Sequence, residues 1–159
     1  MRIRDDYTVE VSRPFPGKSP EGGGKRLEND RPRADKGDHA SMTTAECYAL
    51  SGADYTEVLR RMGNEDRVRR FLLKFAEEPS YGLLCRSVEA GDAKEAFRAA
   101  HSIKGVCLNL GLTALYRSAG DLCEELRGGA FTDAVPGLLR RVGEDYQKTI
   151  NGIRELAQA

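Results

Sequence analysis

From about residue 54 onward the apolar positions of this chain recur with a helical period, and polar residues fill the gaps between them. Val68, Phe71, Leu72 and Phe75 form a first stripe, which Leu83, Leu84 and Val88 continue as far as Gly91. Asn64 stands ahead of that stripe as an N-cap, with Glu65 and Asp66 in the first turn, where the helix dipole favours acids. Pro79 interrupts it, because proline lacks an N–H and clashes with the preceding turn, so a kink or a restart is predicted there. A shorter helix is predicted over residues 53–61, ending at Gly63. Asp92 caps a longer one that runs to about Leu110 and stops at Gly111, a natural place for a left-handed residue. Leu112, Leu115, Ala119, Leu122 and Leu126 make the next stripe, closed by Gly128 and Gly129. The last runs from Val135 through Leu138, Leu139, Val142, Tyr146, Ile150 and Ile153 to Leu156. No segment alternates as a strand would, and no internal repeat is evident. Helices with one apolar face and short connections predict an all-α fold. The expected form is an up-and-down antiparallel four-helix bundle with a short extra N-terminal helix.

Residues 1–42 break this pattern. Segments such as RPFPGKSPEGGGKR are rich in Pro, Gly and charge and hold few large apolar residues, too few to offset the entropy of ordering. They are expected to be a disordered tail, leader or linker, with the helical domain over 43–159. Met42 opens the ordered part and is a candidate natural start. The whole chain of 159 residues has room for one ordinary domain. Its 25 basic and 25 acidic residues leave no field to attract nucleic acid or an acidic membrane. Apolar runs are too short to span a bilayer, and the N-terminus has no apolar signal core. A cytoplasmic protein, monomeric by default, is expected. The four cysteines form no C-x-x-C pair, and no metal-ligand spacing is present, so no metal site is predicted and the thiols read as reduced core residues.

The informative helix is 92–110, DAKEAFRAAHSIKGVCLNL. At about 100° per residue, Ala96, Ala99, Ala100, Ile103, Val106, Cys107 and Leu110 share one broad face, which is the core face. His101 lies nearly opposite, which leaves an idle surface histidine as the plain alternative to a functional one. Its neighbours weigh against idleness. Lys104 and Gly105 stand one turn on, at i+3 and i+4. A glycine inside an exposed helix costs about 0.5–1 kcal/mol relative to alanine, so it calls for a reason, and clearing space beside the imidazole is one. Lys104 places a cation where an anion on His101 would sit, and Lys94 and Arg98 add positive potential. Phe97 and Leu108 also point to the outer face, making a candidate docking patch.

Residues 100–111, A-H-S-I-K-G-V-C-L-N-L-G, resemble the signature of histidine-containing phosphotransfer (HPt) domains, the helical bundles of bacterial and fungal two-component phosphorelays. The resemblance extends to R-F-L-L-K-F at 70–75, the Gly91-Asp92 turn and L-x-x-x-A-x-x-L at 115–122, covering the chain from about residue 64 onward. It implies that His101 is the phosphoacceptor, that Lys104 interacts with the phosphoryl oxygens and that Gly105 gives access. It further implies partners in receiver domains, a hybrid histidine kinase among the candidates, with Mg²⁺ supplied by the receiver and no cofactor bound here. Many members carry Glu or Gln directly after the position of Leu122, where it can bond the inner ring nitrogen. Here that residue is Cys123, and Glu124, one place on, is the candidate for orienting the ring. A stand-alone shuttle and a module of a larger kinase would share this chemistry. The rival from another class is a non-catalytic helical adaptor using the same outer patch. A kinase or phosphatase is not expected: Gly22-Gly23-Gly24-Lys25 lies in the tail and forms no phosphate-binding loop.

Overall fold

The computed structural model describes residues 41–159, so the expectation of a disordered tail before them lies outside the described residues. Seven helices and no strand occur among the described residues: α1 Thr44–Leu50, α2 Tyr55–Met62, α3 Glu65–Phe75, α4 Ser80–Glu89, α5 Ala93–Leu110, α6 Thr113–Leu126 and α7 Val135–Gln158. The all-α bundle expected from the apolar stripes is the fold observed.

The boundaries have local causes. The Asn64 side chain accepts from the N–H groups of Asp66 and Arg67, and Asp92 accepts from that of Glu95, each satisfying helix-start donors that would otherwise lack partners. At Pro79 the chain restarts rather than kinks. The first stripe therefore belongs to two helices, α3 ending at Phe75 and α4 beginning at Ser80. The N-terminal region holds two short helices where one was predicted. The additional one, α1, is opened by a capping box in which Thr43 Oγ1 accepts from Glu46 N–H and Thr43 N–H donates to the Glu46 carboxylate.

Short connections make α4, α5, α6 and α7 successive antiparallel neighbours, with α5 packed between α4 and α6 and α6 against α7. Tyr81 of α4 stacks on Tyr146 of α7, ring centroids 4.0 Å apart, which closes the bundle. The core is built from fully buried Leu72, Leu84, Ile103, Leu115, Leu122 and Ile153, each contributing about 1.5–3 kcal/mol. The stripes were not buried uniformly: Phe71 and Leu83 remain exposed, and Val106 is only half-buried. The layer of α1 and α2 lies against α7 and the end of α5 and holds that end in place.

Candidate functional site

The site is built on α5, whose buried face is mostly small: Ala93, Ala96, Ala99 and Ala100 precede Ile103, Cys107 and Leu110. Alanine lets neighbouring helices approach closely, and it favours a long regular helix. The C-terminus of α5 is anchored from outside. Tyr48 Oη donates to the Leu110 carbonyl at 2.7 Å, and Arg61 donates to those of Leu108 and Asn109 at 3.0 and 3.3 Å. Gly111 follows at φ 66°, the left-handed region, and its carbonyl accepts from Asp54 N–H at 2.9 Å. These contacts act with the packed core face to fix the rotation of α5 about its axis.

That rotation puts His101 in solvent, opposite the buried face. Its ring is held from two sides. Phe97, half-buried one turn before, lies nearly parallel to it with centroids 6.1 Å apart. Across the seam to α6, the Sγ of Cys123 stands 3.9 Å from Nδ1. The two nitrogens of an imidazole flank one carbon with diverging lone pairs, so Nε2 of this exposed residue points away from the Cys123 contact. Cys123 itself is buried, and desolvation pushes its thiol up while the nearby Lys104 ammonium pulls it down. Cys107, deeper under the same helix, is pushed up to about 12 by burial alone, so it is a core thiol.

Lys104 does not stand free in solvent beyond His101. Its side chain lies along the seam with α6, its Nζ 5.9 Å from the centre of the Tyr116 ring. The side chain passes beside Gly120, where a Cβ would make ordinary contact with Lys104 Cε and Cδ at 3.8 and 3.9 Å. Gly105 is different: a Cβ placed on it would meet nothing within 4 Å. The surface above it is open to a partner.

Glu124 departs from its expected place. Both its carboxylate oxygens accept from Arg127, at 2.6 and 2.9 Å, and this pairing holds the carboxyl below its usual range. One residue on a helix is about 100° of rotation, enough to turn Glu124 outward while Cys123 meets the ring. Among the remaining predicted residues, Lys94 and Arg98 are exposed on α5, Arg98 paired with Glu95. Leu108 is 54% exposed, whereas Phe97 is partly packed into the core. Beside the C-terminal half of α5, on the side away from α6, a groove of about 340 Å³ is lined by Met62, Phe71, Phe75, Val106 and Leu110, with Lys74 and Glu78 at polar positions.

Sequence reading put Cys123 at the matching position but named Glu124 as the ring's partner, and it did not place Lys104 against Tyr116 beside Gly120. A signal for them was present. Tyr116, Gly120 and Cys123 form their own four-three row, one position beside the apolar stripe of Leu115, Ala119 and Leu122. Glu95 and Glu124 are both engaged by arginines, Arg98 and Arg127. No cluster of three or more His, Cys, Asp or Glu that could hold a metal occurs among the described residues, and no described helix is long and apolar enough to cross a membrane.

Comparison with curated proteins and with solved structures returned no match. The Hpt domain model matches residues 70–157, from within α3 to the end of α7. That match runs through every helix that builds the bundle around His101, and the chain accordingly belongs to the Hpt domain family, whose members carry phosphoryl groups in phosphorelays and are not kinases.

Proposed function

We propose that His101 is the phosphoryl-carrying residue and that its exchange partners are aspartates of receiver domains. The observation that carries this reading is His101 itself, exposed on α5 with Nδ1 turned to the α6 seam, which leaves Nε2 as the nitrogen pointing away from that contact. A neutral imidazole presents a lone pair near physiological pH and needs no further activation to attack phosphorus. The Nε2 lone pair forms the N–P bond as the P–O bond to the partner aspartate breaks, and the carboxylate leaves with the electron pair. Phosphoryl transfer asks chiefly for positioning and positive charge. Lys104, one turn after His101 with its side chain on the α6 seam near Tyr116, supplies that charge. The open surface over Gly105 admits the receiver's aspartyl phosphate.

The Mg²⁺ that such a transfer uses belongs to the receiver in this reading, and this chain binds no cofactor of its own. Lys94, Arg98, Phe97 and Leu108 frame the receiver's footprint around His101, the exposed Leu108 giving it an apolar contact. The chain acts in the cytoplasm as a monomer, its helical domain spanning 43–159 and the residues before serving as tail, leader or linker. The decisive experiment offers the protein a radiolabelled, phosphorylated receiver domain and compares wild type with His101→Gln. Acid-labile, base-stable label on wild type alone is expected, with the helical circular dichroism of the two proteins unchanged. Absence of label from any of several receivers would overturn the reading in favour of a non-catalytic adaptor.

A further inference from the structure

The role assigned to Nε2 leaves the other ring nitrogen to be explained. Nδ1 faces the Sγ of Cys123 at 3.9 Å, and Cys123 is 1% exposed although His101 stands in solvent. A thiol is a weak donor and a weak acceptor, and it can play either part toward the same neighbour. A carboxylate can only accept. We propose that Cys123 is the positioning residue of His101 and serves both protonation states of Nδ1, its sulfur accepting from Nδ1–H in the resting ring and its S–H donating to the bare nitrogen of the phosphorylated one. This inference rests on the phosphotransfer reading above.

The sequence of events balances simply. Attack through Nε2 leaves the ring a cation, still protonated at Nδ1. That proton passes to solvent water, which the exposed ring can reach. The ring becomes neutral, and the thiol turns its S–H toward the vacated lone pair. A carboxylate in this place would hold the proton on Nδ1 and keep the imidazole a good leaving group. The thiol does the reverse and lengthens the life of the N–P bond.

The surroundings are consistent with a neutral partner. Burial keeps the Cys123 thiol protonated against the pull of Lys104 from α5, and the other charges acting on it are Glu124 of its own helix and Arg127 at that helix's C-cap, which are paired with each other. On α5, Arg98 is paired with Glu95, and from α7 Arg141 is engaged by Asp121. No free carboxylate among these groups competes for Nδ1.

The test labels the full chain with phosphoramidate, a small phosphoryl donor that needs no receiver, in a His39→Gln background so that one histidine remains. Loss of label is followed across the pH range in which imidazoles titrate. The label is expected on Nε2, identified by nitrogen NMR. Cys123→Ser, which keeps a two-way partner, should match wild type. Cys123→Ala should lose label several-fold faster at neutral pH. Cys123→Glu should lose it about tenfold faster, the change carried by one unit of ring titration, with the fast loss persisting to higher pH. Equal lifetimes and pH profiles in wild type, Ala and Glu variants would overturn the proposal, as would label on Nδ1. Should the Glu variant not fold, wild type against Ala decides alone. Failure to accept label from receivers, with the phosphoramidate order intact, would sink the relay reading and leave the role of Cys123 standing.

Discussion

Around the C-terminus of α5 four successive carbonyls, those of Leu108, Asn109, Leu110 and Gly111, are taken up by Arg61, by the Tyr48 hydroxyl and by the Asp54 N–H. Two turns back, His101 has one weak sulfur contact and one stacked ring, and the surface beside it at Gly105 is empty. The contrast separates two tasks. The tied end spends strong, directional bonds on fixing the axis and rotation of the helix. The working surface then needs few bonds of its own and stays open to a partner. In the proposed transfer, a histidine that meets another protein's aspartate gains from being aimed by its helix rather than by a cage of side chains, which the partner would have to displace.

The comparison breaks most readily at the tied end. Gly111→Ala would put a Cβ 3.0 Å from the Asp54 carbonyl oxygen, a backbone atom, in a left-handed conformation that alanine disfavours. A loss of about 2–3 kcal/mol is expected in urea unfolding. Tyr48→Phe removes a buried hydroxyl bond to Leu110 and should cost about 1–2 kcal/mol in the same assay. If α5 is aimed from this end, both variants should also loosen His101. Its ring signals would then broaden in NMR spectra recorded well below the unfolding temperature. Unchanged His101 signals in a destabilised Tyr48→Phe protein would show that the two ends are independent.

At the working surface the signs reverse. Gly105→Ala meets no atom within 4 Å and replaces a glycine inside a helix, so stability should rise by about 0.5–1 kcal/mol. Phosphoryl transfer from a receiver should nevertheless slow, because the methyl group occupies the partner's approach. A faster or equal transfer rate would remove Gly105 from its role. The smallest effect is expected at Glu124, an exposed carboxylate paired with Arg127. Glu124→Gln should leave the unfolding midpoint, the transfer rate and its pH profile as they are. A changed pH profile would return Glu124 to the ring-orienting role proposed here for Cys123.

What could be read from the chain and what could not divide along physical lines. The starts at Asn64 and Asp92, the stop at Gly111 and the break at Pro79 were legible because caps, left-handed glycines and missing N–H groups act within a turn or two of backbone. The Thr43–Glu46 capping box was equally local and could have announced α1. The exposed side of α5 was legible too, since a continuous apolar face leaves one direction for His101. The resemblance around residues 100–111 then attached a chemistry to that direction.

Sequence by itself thus determined an all-α bundle and the helix, position and outward direction of the histidine. Only the tertiary structure decided what meets it: Cys123 rather than Glu124 at Nδ1, Lys104 laid over Tyr116, and Phe71 left beside a groove instead of inside the core. The reason is geometric. Neighbouring positions on a helix differ by about 100°, and the rotation of α6 against α5 is the joint outcome of all the side chains packed between them. A periodic pattern names the buried face of each helix. It does not say which single atom at the edge of that face will touch the helix beside it.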